Sequence, residues 1–233
     1  MGEIADIYLK TRKIPDFLWN TYVARPPAAV IVWMLAPTRV TPNQVTLAAF
    51  VVAGASIALM LFAPGYLGLV AAALVFELSY VLDCVDGMLA RRRGTQSVVG
   101  HLLDFLMDEI KAFAMLGAVS VRLYWQTQDD RFLLLGILGL VCLASGIALT
   151  TFQRRPEIAG PPAPPGPERK SSLIRGALGL VERGARFLIH YPSYILFVAL
   201  AGRIELYFFP YIAVNALYAA RAFSSVALRF GRR

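Results

Sequence analysis

Charge is what this sequence has least of. Only 16% of its 233 residues are Asp, Glu, Lys or Arg, where globular domains carry roughly 25%; a surface so poor in charge cannot be mostly wet, which excludes an ordinary soluble enzyme. Cysteine is nearly absent. Cys84 and Cys142 both fall in apolar runs without a CxxC spacing, so they read as reduced packing residues, not as a disulfide or a metal pair. The first 20 residues, with Glu3, Asp6, Lys10, Arg12, Lys13 and Asp16, contain no continuous apolar run, and no cleavable signal peptide is expected.

What the chain has instead is apolar surface: 58% of its residues are hydrophobic and the mean hydropathy is +0.59. A membrane span needs about 20 residues, so the expected fold is an all-α polytopic membrane protein of about six transmembrane helices with little mass outside them. Lys and Arg number 23 against 15 Asp and Glu. That excess suits anchoring to anionic membrane lipid and attraction for an anionic ligand; nucleic acid has no support beyond net charge.

Two regions are expected, an interfacial N-terminal segment at 1–40 and a transmembrane domain at 41–233. Residues 3–20 mix charges with Ile4, Ile7, Leu9 and Phe17 and suit an amphipathic helix or irregular segment at the membrane interface. Ala28 to Leu35 is apolar but too short to cross. At Thr41-Pro42-Asn43-Gln44 a capping box with proline at the first helical position opens a helix. Spans are expected at 42–63, 66–91, 97–124 and 131–153, followed by a proline-rich loop at 156–170 that cannot hold a helix. An amphipathic stretch at 172–186 leads to a fifth span ending near Gly202, and a sixth covers 206–228. Counting Lys and Arg between spans gives 18 on the side of both termini and 3 (Arg122, Arg131, Arg203) on the other, which puts the termini in the cytoplasm.

Acids inside such spans are costly, about 2.5 to 3.5 kcal/mol for an Asp at the centre, yet the second and third spans hold Asp83, Asp86, Asp104, Asp108 and Glu109. Asp83 and Asp86 are three residues apart and Asp104 and Asp108 four, so each pair shares a helix face. In an antiparallel hairpin turning near residue 95 the four carboxylates meet at one depth, about 13 to 18 Å of helix from the turn. Oxygen ligands without His or Cys call for Mg²⁺ or a similar ion such as Mn²⁺, and four carboxylates suffice to bridge two ions. Gly87, Ala90 and Gly100 leave room beside them, and Arg91 can reach a phosphate. This is equipment for phosphoryl or phosphodiester chemistry facing the cytoplasm.

The run Asp83-Cys84-Val85-Asp86-Gly87-Met88-Leu89-Ala90-Arg91, then Gly100, Asp104 and Asp108, resembles the DxxDGxxARx8GxxxDxxxD signature of the CDP-alcohol phosphatidyltransferase family, with all eight specified positions matched over 26 residues. The resemblance extends more loosely to the six-span layout, the interfacial N-terminal helix and the Pro42-Asn43 pair. It implies that Asp83, Asp86 and Asp104 hold two divalent ions, with Asp108 completing the second site and acting as general base. It further implies that Gly87, Ala90 and Gly100 admit the cytidine nucleotide, with Arg91 on its phosphates and Asn43 among the nucleotide contacts. An acceptor hydroxyl would attack the phosphorus attached to the donor alcohol and release CMP.

The leading expectation is a phosphatidyl transfer from CDP-diacylglycerol to a small polar alcohol in phospholipid synthesis. The alternative reverses the partners, a CDP-linked polar alcohol donating to a lipid hydroxyl or an inositol phosphate. Phe105 after Leu103-Asp104 and Glu109 after Asp108 depart from the Leu-Asp-Pro and Asp-Lys expected in phosphatidylglycerophosphate synthases, which counts against glycerol phosphate as acceptor. A divalent-cation transporter would use the same carboxylates but has no need of Gly87, Ala90, Arg91 and Gly100. Lys111, one helical turn after Asp108, reads as that acid's pairing partner, and Glu77, His101 and His190 as polar packing or interface residues. Arg154 and Arg155 are either a positive belt or contacts to a substrate phosphate. Arg221, a charge inside an apolar span, calls for a buried partner or substrate. Gly136, Gly139, Ala144 and Gly146 mark close helix contact, within the chain or across a homodimer.

Overall fold

The computed structural model describes residues 2–159 and 194–231, and every regular element among them is helical. Helix α1 (Gly2–Thr11) is followed by a π-helical turn (Asn20–Ala24) that runs directly into α2 (Arg25–Leu35). Pro26 and Pro27 lie in the first turn of α2 and do not precede it. The turn before them is π-helical, the Arg25 amide donating to the Asn20 carbonyl, and such a bulge is where residues without an N–H fit into a continuous helical run.

Helix α3 (Pro42–Phe62) opens with the expected capping box: Thr41 Oγ1 accepts from the Gln44 amide and Gln44 Oε1 accepts from the Thr41 amide, at 3.3 and 2.9 Å. Helix α4 (Gly65–Arg93) ends at Gly94, whose φ of 66° is the left-handed conformation that glycine supplies cheaply. Ser97 then caps α5 (Val98–Thr127) by accepting from the Gly100 amide at 3.0 Å. Helix α6 (Arg131–Arg154) is followed by a single turn, α7 (Pro156–Ala159). Proline at a helix start explains why the first four residues of the expected proline-rich loop are helical instead. Beyond 194 come α8 (Ile195–Leu200) and α9 (Glu205–Phe230). The amphipathic stretch expected at 172–186, most of the proline-rich loop and the first part of the fifth span lie outside the described residues.

Four of these helices, α3, α4, α6 and α9, are long and apolar enough to cross a membrane. Helix α5 is longer than α3 but is interrupted by Asp104, Asp108, Glu109 and Lys111. Two apolar clusters hold the bundle. One gathers α3, α4, α5, α6, α8 and α9 around Phe76, Met115, Leu116, Tyr207 and Phe208. The other packs Ile7, Ala28 and Val32 of α1 and α2 against Val85, Met88 and Leu89 on the last turns of α4.

In the expected α4–α5 hairpin, helix α3 packs closely along both partners, while Phe76 of α4 and Met115 and Leu116 of α5 share the larger apolar cluster and Lys111 of α5 reaches Asp83 of α4. The glycines of α6 are consumed inside the chain. A Cβ at Gly136 would come within 2.0 Å of Ser120 Oγ on α5, and one at Gly139 within 2.7 Å of Ile212 on α9. These two glycines therefore serve helix contacts within the chain. Cys84 is buried, Cys142 half-buried, and both are free.

Candidate active site

Between α4 and α5, and walled by α3 and the N-terminal segment, lies a cavity of about 880 Å³, within the range of small-molecule sites. The turn at 94–97 brings the last turns of α4 and the first turns of α5 to one end of the bundle. The capping box brings the start of α3, with Asn43, to the same end.

Asp83 from α4 and Asp104 and Asp108 from α5 each direct a carboxylate oxygen into a group lying within 4.8 Å of one another. Asp83 and Asp108 share Lys111, whose Nζ lies 2.7 Å from Asp83 Oδ1 and 2.6 Å from Asp108 Oδ1. Asp104 Oδ1 is buried without a hydrogen-bond partner. Asp86 lines the same cavity but is not in the close group; its carboxylate accepts from the Thr46 hydroxyl of α3. Three residues along a helix rotate a side chain by about 60° net, and on α4 that rotation turns Asp86 toward α3 and away from α5. The structure thus brings three of the four acids together and sets the fourth beside them.

Gly87, Ala90, Arg91, Gly100 and Asn43 all line this cavity. A Cβ at Gly100 would lie 3.1 Å from Ser97 Oγ and 3.3 Å from Asn43 Oδ1, tight against the helix cap. Arg91 Nε donates to the Thr11 carbonyl at the end of α1, so this arginine also anchors the N-terminal helix. His101 lines the cavity as well. Arg154, Arg155 and Arg221 do not: they are exposed on α6, just after it and on α9. Among the described residues Arg221 has no buried partner. Glu77 accepts from Trp19 Nε1 at 3.1 Å, while its Oε1 is buried without a partner.

Among the other cavity residues, Lys13, Asp16, Arg25 and Thr46 are polar or charged and carry no motif that marks them as site residues in the sequence. Arg25 and Asp16 form a buried ion pair, and Asp16 Oδ1 also accepts from Asn20 Nδ2 at 2.8 Å. Lys13 and Arg91 add positive charge to the cavity lining beside this neutral pair. A charge of each sign, nine residues apart in a segment read as interfacial, was the only available signal for this pair.

Taken together, the helical fold and this acid-lined, arginine-flanked cavity define a membrane protein equipped to handle phosphate. The sequence model of the CDP-alcohol phosphatidyltransferase family matches residues 39–179. A phosphatidylinositol phosphate synthase of Corynebacterium glutamicum is 34% identical over 163 residues, 67% of this chain and 71% of the relative. One from Mycobacterium marinum is 30% identical over 149 residues, 64% of this chain and 56% of the relative. The crystal structure of Mycobacterium tuberculosis phosphatidylinositol phosphate synthase with CDP-DAG bound superposes with a TM-score of 0.52 at 21% identity, covering 86% of this chain and 93% of that one. The same protein in complex with manganese and citrate gives 0.50 at 22% identity over 85% and 88%. The chain belongs to the CDP-alcohol phosphatidyltransferase family and is an enzyme of that class.

Proposed function

We propose that this enzyme transfers the phosphatidyl group of CDP-diacylglycerol to a hydroxyl of a small polar alcohol, an inositol phosphate foremost, with release of CMP. The observation that carries the proposal is the convergence of Asp83, Asp104 and Asp108 at the rim of a cavity lined by Gly87, Gly100 and Arg91. The choice of acceptor draws on the 34% identical relative, a phosphatidylinositol phosphate synthase.

The donor set fits a hard divalent cation: carboxylate oxygens, no thiolate or imidazole among them, and a buried Asp104 oxygen that no protein donor satisfies. Asp83, Asp104 and Asp108, with Asp86 beside them, would hold two Mg²⁺ ions, Mn²⁺ serving as a substitute. Bound there, the ions neutralise phosphate charge near the reacting phosphorus. The remaining work belongs to the chain. Gly87, Ala90 and Gly100 leave space for the cytidine nucleotide, Asn43 borders it and Arg91 faces its phosphates. Asp108, the more exposed of the two acids on Lys111, takes the proton of the acceptor hydroxyl. The acceptor oxygen bonds to the phosphorus that carries diacylglycerol as the bond to the CMP oxygen breaks, and CMP leaves with that electron pair.

Residues 41–233 form the catalytic domain in this reading, and 1–40 an amphipathic segment at the interface. Six spans place both termini and the cavity on the cytoplasmic side, open laterally to lipid. The test is CMP release from CDP-diacylglycerol by purified protein in detergent, with and without Mg²⁺, across serine, inositol, inositol phosphate, glycerol phosphate and choline. Metal-dependent release with inositol phosphate is expected. Release only when a CDP-linked polar alcohol is the donor would reverse the assignment of partners.

A further inference from the structure

Lys111 sits where the proposed metal ligands meet. Its side chain, only 3% exposed, reaches from α5 across to α4, and its ammonium lies between Asp83 Oδ1 and Asp108 Oδ1 at 2.7 and 2.6 Å. A lysine at this depth needs carboxylate partners, and it has taken two of the three that lie within 4.8 Å of one another. We propose that Lys111 is a built-in competitor for the divalent cation, a positioning residue that keeps Asp83 and Asp108 together and at the same time weakens metal binding to them. The inference rests on the metal reading of this site.

The two effects come from one charge. Three carboxylates so close together repel one another, and the ammonium offsets that repulsion and ties α4 to α5 at the level of the acids. A divalent ion, however, would draw on the same carboxylates at about 2.0 to 2.1 Å for Mg²⁺. It would then stand a few ångströms from the Nζ, where like charges repel strongly and salt screens poorly. The lysine contacts Asp83 and Asp108 but leaves the buried Oδ1 of Asp104 without a partner, so it lowers affinity without closing the site.

The test compares wild type, Lys111→Met, Lys111→Gln and Lys111→Arg, in detergent at one pH and without nucleotide, by the EPR signal of free Mn²⁺. Both neutral variants are expected to bind Mn²⁺ roughly tenfold tighter or more, given the size of short-range charge repulsion. Lys111→Arg, which keeps the charge, is expected to bind like wild type. Thermal unfolding supplies a second readout: the neutral variants should melt earlier than wild type under EDTA and gain more from Mn²⁺. Equal or weaker Mn²⁺ binding in folded Lys111→Gln would overturn the inference. Failure of the wild-type protein to bind Mn²⁺ would overturn the metal reading and this inference with it. Tighter binding in the neutral variants of a protein that releases no CMP would uphold the role of Lys111 and sink the transferase reading alone.

Discussion

Asp83 and Asp108 share a lysine but not an environment. The Asp83 side chain is 12% exposed and that of Asp108 50%, so an entering hydroxyl meets Asp108 first. Asp108→Asn keeps the shape and an acceptor oxygen for Lys111 while removing the base. General-base removal costs about 10² to 10⁴ in rate, so turnover should fall on that order while CDP-alcohol affinity, measured by calorimetry, changes little. Loss of affinity together with turnover would instead mark Asp108 as chiefly a metal ligand. The acids themselves were legible in the sequence, since helical spacings of three and four among apolar neighbours single them out. Their partners were not. Nothing in the spacing on α4 says that Asp86 will meet Thr46 on α3, or that Lys111, already paired with Asp108 on its own helix, will also take Asp83. Such choices depend on which helix lies alongside.

Helix ends show a recurring device. Arg91 donates to the Thr11 carbonyl at the end of α1, and Arg93 donates to the carbonyls of Leu35, Thr38 and Val40 at and just beyond the end of α2. Arg122, buried on α5, does the same for α3: its Nη1 donates to Met60 O and Ala63 O, both at 2.9 Å, and its Nη2 to Gly65 O at 2.7 Å. The last carbonyls of a helix have no intrahelical donor and carry the negative end of its dipole, and in apolar surroundings water does not serve them. Arg122→Met should therefore destabilise the protein by about 3 kcal/mol, the scale of losing charged hydrogen bonds and orphaning buried acceptors. The check is the midpoint of thermal unfolding in detergent, with CMP release per folded molecule unchanged. An unaltered midpoint would show that other contacts hold the end of α3. From the sequence alone Arg93 and Arg122 counted only as loop charges, because a cap supplied by a distant helix leaves no local pattern. The start of α3 was legible for the opposite reason: the Thr41–Gln44 box acts within a few residues of chain.

For the molecule as a whole the open element is α5, which fails as an apolar span by composition but not by geometry. At about 1.5 Å per residue its 30 residues extend roughly 45 Å, more than the hydrocarbon core of about 30 Å. Apart from Arg122 near its far end, its charges are confined to 104–111, and Asp104, Asp108 and Lys111 turn into the cavity, whereas Val99, Leu102, Phe105 and Leu106 are exposed. Glu109 does not line the cavity but is itself half-buried, and a helix whose other acids turn toward an internal cavity is compatible with lipid on its apolar face. Arg122 strengthens the same case: once it is spent on capping α3, only Arg131 and Arg203 remain as loop charges on the sparse side, and the asymmetry that orients a membrane protein becomes steeper. Helix α5 is therefore expected to cross, placing the turn at 94–97 and the turn at 128–130 on opposite faces. Single cysteines at Gln96 and Asp129, introduced after replacing Cys84 and Cys142, test this with a membrane-impermeant thiol reagent on intact cells and on inverted vesicles. Labelling of Asp129→Cys from outside and of Gln96→Cys only in inverted vesicles is the expected pattern. Labelling of both from one side would return α5 to the interface and reduce the spans to those that are apolar throughout, leaving the acids at the membrane surface and removing the lateral access to lipid that a diacylglycerol-bearing donor requires.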